Sequence, residues 1–172
     1  IVAPILATGL YVVSRALAQG RRARLAEVLA LWRSGDRRLL RFGLLLGLAG
    51  TGWVLSSAGL ITLAAPSPIH TPLDFLRVVV LAPVPGLFEL WLLQGILLAA
   101  PVYASTVLAL PLLVDEPVSV QYAVGASWRA VANHPVALTL WALLIVVLVG
   151  LGMLLGMVGL VVVIPWLAHA SW

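Results

Sequence analysis

His70, His134 and His169 are the nitrogen ligands this chain could offer a metal or a haem. Ligation needs two or more donors converging on one point. His70 falls in a polar connector, His134 beside Pro135 at the edge of an apolar run, and His169 inside the last apolar run. That spacing does not bring them together, and no metal or cofactor is expected. With no cysteine there is no thiolate site, disulfide or iron–sulfur cluster to consider. His169 stands out, because an ionisable group within an apolar span is costly and often functional. Its plain reading is a neutral imidazole bonded to a backbone carbonyl or a Ser/Thr hydroxyl. The sharper reading is a polar contact across helices or with a partner subunit.

The carboxylates offer no better start for catalysis. A hydrolytic site needs a nucleophile, a base and an orienting group together. Asp115 and Glu116 are adjacent, so on a helix they diverge. They read instead as negative charge at the start of a helix opened by Pro117. Glu89, at the start of an apolar run, reads as a surface anchor before it reads as part of an ion path. Gly50-Thr51-Gly52 and Gly150-Leu151-Gly152 lie in apolar runs without a βαβ context and carry no weight as nucleotide motifs. No catalytic residue is expected, and the chain is not read as an enzyme.

The elements that hold these residues are membrane-grade. Of 172 residues, 63% are hydrophobic and 9% charged, with mean hydropathy +1.15. A soluble domain carries about 25% charge. All ten basic residues are arginine, and eight of them fall between Arg15 and Arg41. A basic cluster flanked by apolar spans marks the cytoplasmic side and an affinity for anionic headgroups, ahead of nucleic acid.

The expected fold is all-α, a polytopic transmembrane helical bundle forming one domain over 1–172. About five spans are predicted, near 1–18, 42–65, 87–112, 136–153 and 156–172. Three interfacial helices are predicted near 23–33, 72–82 and 117–133. The last lays Val120, Val124, Trp128 and Val131 on one face, with Trp128 at headgroup depth. Thr71-Pro72-Leu73-Asp74 has the spacing of a capped helix start. Pro101 is expected to kink its span and Pro111 to mark its exit. Gly43/Gly47 and Gly152/Gly156 form GxxxG faces suited to close helix contact. The last 37 residues, from Val136, carry no formal charge and are too long for one crossing, so a turn is expected in their glycine-rich middle.

Span, connector and amphipathic helix follow one another twice, which predicts an internal repeat. Trp32-Arg33 and Trp128-Arg129 hold matching places, as do Tyr11 and Tyr103. Ile1 opens inside an apolar run, so further residues are expected before it and after Trp172.

GLYVVSRALAQG (residues 9–20), the stretch from Tyr103 through LPLLVDEPV to Leu144, and GLVVVIPWLAHASW at 159–172 resemble an uncharacterised proteobacterial family of predicted integral membrane proteins. The likeness covers most of the chain and is best from Val102 to Trp172. Members are sometimes labelled cytochrome-c-oxidase-subunit-like. The resemblance implies about six spans in a whole protein of the bacterial inner membrane, and no catalytic residue to carry over. The function expected is a non-catalytic accessory subunit or assembly factor of a larger membrane complex, of the respiratory, cytochrome oxidase type. The alternative is a small transporter or channel for a hydrophobic or lipid-like substrate. Contacts with lipid or a partner subunit are expected at Trp32, Arg33, Trp128, Arg129, His169 and Trp172.

Overall fold

Apolar runs of this length, with their backbone polar groups paired inside the segment, give helices, and every regular element among the described residues is helical. The computed structural model describes residues 2–22, 24–33, 36–81 and 86–171, with the side chains of 2–8 and 31–33 outside that description. In chain order the helices are α1 Val2–Ala18, α2 Leu25–Arg33, α3 Arg37–Ala64, α4 Pro72–Phe75, α5 Leu87–Thr106, α6 Ala109–Asp115, α7 Val120–Asn133, α8 Pro135–Leu154 and α9 Leu160–Ala170. Three stretches are long and apolar enough to cross a membrane: Arg37–Ala64, Leu87–Asp115 and Pro135–Leu154. Gly9–Ala18 and Leu160–Ala170 are apolar but shorter.

Several boundaries differ from the sequence reading for physical reasons. The helix expected from 42 begins at Arg37, because Asp36 accepts the Arg38 N–H at 2.8 Å and its own carbonyl takes the Leu40 N–H at 3.0 Å, which caps the end. The span expected over 87–112 is interrupted at 107–108 and then runs on to Asp115. Pro111 causes this and does not mark the exit. It has no N–H to give the Val107 carbonyl and its ring crowds that carbonyl, so it fits only in the first turn of a new helix. Pro101, by contrast, lies inside α5, which continues to Thr106.

The helix expected from 117 begins at Val120, with Ser119 as its cap accepting the Tyr122 N–H at 3.2 Å. Asp115 ends α6, and Glu116 adopts an extended conformation (φ −126, ψ 148), as a residue before proline prefers. The proposed capping role of these two carboxylates is therefore overturned. Pro135 is the first residue of α8, so α7 and α8 meet at His134. The last span, expected over 156–172, is the 11-residue α9, about 16 Å long.

By contacts the chain divides into two units, residues 1–44 with 103–172, and residues 45–102. In the first, small residues allow close approach. Ala16, Ala104, Ala109 and Ala123 are buried with Val12, Val28, Phe42 and Leu113. There α6 packs on α1 and α7, and α1 also meets α2 and α9. The turn between α8 and α9 uses Gly156 at φ +68 and brings Gly152 and Gly159 together. Thus Gly152 does not share a helix face with Gly156, as its GxxxG spacing predicts. In the second unit Thr71 and Asp74 form a capping box, and Thr71 with backbone N–H groups holds the Asp74 carboxyl below its ordinary range. A π-helical turn follows over Leu76–Val80, with Val79 fully buried. Trp91 packs edge-on against Phe75 at 5.3 Å and donates to Ser57 Oγ at 2.6 Å.

Candidate functional site

The polar side chains of the first unit gather where α1 ends and α3 begins, against the connector from α6 to α7. Pro117 leaves the carbonyls of that connector without helical partners. Arg38 supplies them. Its Nη1 donates to the Glu116 carbonyl at 3.0 Å and the Val118 carbonyl at 2.8 Å. The same guanidinium holds Asp36 through Nη2 at 2.7 Å and Nε at 3.2 Å. That hydrogen bonding holds the Asp36 carboxyl below the usual carboxylate range. Arg15, near the end of α1, pairs with Asp115 at 3.4 Å. Arg21 donates to Gln19 Oε1 at 2.8 Å and faces Glu27 at 3.4 Å. A cleft of about 410 Å³ opens among Arg15, Gln19, Arg21 and Asp115.

Deeper in the same unit, polar groups join helix to helix. The interruption before α6 frees the Leu108 N–H, and the fully buried Ser127 Oγ accepts it at 3.1 Å. Trp128 Nε1 donates to Ser105 Oγ at 2.9 Å, tying α7 to α5. Tyr103 donates to the Leu138 carbonyl on α8 at 2.7 Å. His169 Nδ1 lies 2.9 Å from Ser14 Oγ, linking α9 to α1. Ser14 Oγ also lies 3.0 Å from the Leu10 carbonyl; with its proton given there, the hydroxyl accepts from the His169 tautomer that carries hydrogen on Nδ1. This chemistry orients helices. It supplies no activated nucleophile, and the described residues hold no group of three or more metal-binding side chains.

Of the contact residues predicted from sequence, Trp128 is half-exposed and engaged with Ser105. Arg129 is exposed, without an ion-pair partner among the described residues. His169 bonds Ser14. The Trp32 and Arg33 side chains and all of Trp172 lie outside the described residues, and so does one half of the Trp-Arg pair behind the predicted repeat. Glu89 accepts the Gly86 N–H at 2.8 Å at the start of α5, a local cap. Sequence reasoning missed Asp36, Arg38, Ser105 and Ser127. The one available signal was Pro117, which announces carbonyls in need of donors without naming the donor.

The family model described as "Predicted integral membrane protein (DUF2189)" matches residues 1–115. The chain belongs to this family. The match carries the Arg15–Asp115 pair and the Asp36–Arg38 clamp, and it establishes an integral membrane protein. It falls on the first two-thirds of the chain, whereas the resemblance was expected to be best from Val102 to Trp172; LAHASW lies beyond it. No curated protein and no solved structure matches.

Proposed function

We propose that this member of the family is a non-catalytic accessory subunit or assembly factor of a larger complex in the bacterial inner membrane, with its arginine-rich connector cytoplasmic. One observation carries the reading. Polar side chains on the helices of the first unit are engaged in bonds from helix to helix, as Ser127, Trp128, Tyr103 and His169 show, while large apolar side chains such as Leu140, Val146 and Val161 face outward. A bonding pattern directed at structure, under an outward apolar surface, suits a protein that packs among lipids and other helices. A respiratory complex is the class that the resemblance names.

The test is a native gel of gently solubilised membranes, with mass spectrometry and a visible absorption spectrum of the band holding the chain. Co-migration with other membrane subunits is expected. Haem absorbance in that band would identify a respiratory partner. A band of this chain alone would overturn the reading and turn attention to flux and lipid-transfer assays.

A further inference from the structure

The fold sorts the clustered arginines into two groups. Arg15, Arg21 and Arg38 are tied to Asp115, to Gln19 and Glu27, and to Asp36 and two carbonyls. Arg22, Arg24, Arg37 and Arg41 are exposed, and their side chains have no partner among the described residues. The tied arginines bring the end of α1 and the start of α3 to one short connector, residues 115–118. The exposed arginines flank those same two helix ends.

Two features make this end a receptor for negative charge. Arg37, Arg38 and Arg41 occupy the first turns of α3, where the helix dipole is already positive. Among the described residues, Asp36 is the carboxylate paired with them there. Beyond Arg41, α3 is uncharged to Ala64, so the exposed guanidinium groups stand at the border of lipid-grade chain. Headgroup phosphates lie at that depth, and the guanidinium fork fits a phosphate with two parallel bonds.

We propose that Arg22, Arg24, Arg37 and Arg41 form a binding surface for the phosphate groups of anionic phospholipids, shaped by the Arg38 clamp and the Arg15–Asp115 pair. This rests on the chain being a membrane protein and not on the partner-subunit reading.

The experiment measures phospholipids bound to the purified full chain in mild detergent by native mass spectrometry, as the preference for phosphatidylglycerol over phosphatidylcholine. Each surface arginine contributes about fivefold. R22Q/R24Q and R37Q/R41Q should therefore each lower the preference by about 25-fold, and R77Q/R129Q should leave it unchanged. Circular dichroism checks that each variant keeps its helicity. Should a pair fail to fold, the wild-type chain decides. Its preference should collapse as sodium chloride rises toward 0.5 M, since exposed charges are screened. A preference insensitive to salt, untouched by both arginine pairs, or lowered equally by R77Q/R129Q overturns the proposal. Loss of bound lipid to inorganic phosphate would assign a free-phosphate site and overturn it too. A chain that runs alone on the native gel yet keeps its preference overturns the subunit reading only.

Discussion

Arg38 joins the start of α3 to the connector after α6 through one planar group, donating to Asp36 and to the carbonyls of Glu116 and Val118. A lysine carries the same charge but has no fork with which to hold a carboxylate and two carbonyls at once. Arg38→Lys should therefore lower stability by about 1–2 kcal/mol, the worth of charge-assisted bonds discounted for partial exposure. Unfolding in mild detergent followed by circular dichroism measures it. The clamp also has a pH signature. Because the folded Asp36 carboxyl titrates below its unfolded value, its contribution is fully present above about pH 4. It is lost as pH falls through the lower folded value. Asp36→Asn should flatten the acid limb of the stability curve, leaving the slope from Asp74, which is lowered in the same direction. An acid limb identical to the wild type would remove Asp36 from the account. Ser127→Ala tests a different bond. It takes the acceptor from the Leu108 N–H at the fully buried Ser127 position and should cost about 1–2 kcal/mol. Ser105→Ala, which breaks only the half-exposed Trp128 bond, should cost about 0.6 kcal/mol.

At the scale of elements, proline and glycine decide where helices stop. Pro111 creates the interruption that Ser127 repairs, so the two residues should be coupled. Pro111→Ala lets α5 run into α6 and returns the Leu108 N–H to the helix ladder. In that background Ser127→Ala should lose most of its cost, and a double-mutant cycle reads the difference directly. Additive effects would mean that Pro111 is not the cause. The turn between α8 and α9 makes a second case. A Cβ on Gly159 would stand 2.8 Å from the Gly152 Cα and 3.0 Å from its carbonyl oxygen, backbone that cannot yield cheaply. Gly159→Ala should therefore destabilise by about 1–3 kcal/mol, as overpacking does. Gly150→Ala, with nothing within 4 Å, should be neutral or better. These elements also show what a sequence can reveal. The Thr71–Asp74 capping box was legible because both partners lie within four residues and the bond is local. Helix class and the need for a turn near Gly156 followed from composition and length. The roles of Pro111 and Asp115 were not legible. A proline inside an apolar run reads equally as an exit or a restart, and the partner of Asp115 lies 100 residues away.

For the whole molecule the open question is which ends of the helices share a side of the membrane, and the polar clamp bears on it. Arg38 opens α3, and the carbonyls it holds follow α6, so both must lie at one level of the membrane. Between them run α3, about 42 Å long, and the 29-residue stretch Leu87–Asp115. Each exceeds what a hydrocarbon core of about 30 Å requires. One crossing out and one back returns the chain to the side it left, as the clamp demands. The proposed orientation, argued from the arginine excess near α1 and α3, assigns that side to the cytoplasm. With no native cysteine, single introduced cysteines report cleanly with a membrane-impermeant maleimide. Ala26→Cys on α2 and Gln121→Cys on α7, both at exposed positions, should label only after the inner membrane is permeabilised. Ser67→Cys, in the connector after α3, should label in cells whose inner membrane is intact. If Ala26→Cys and Ser67→Cys label alike, α3 does not cross. If Gln121→Cys departs from Ala26→Cys, the Arg38 clamp does not hold in the membrane. If all three are inverted, the crossings stand but the arginine-rich end faces outward, and the charge argument for its orientation fails.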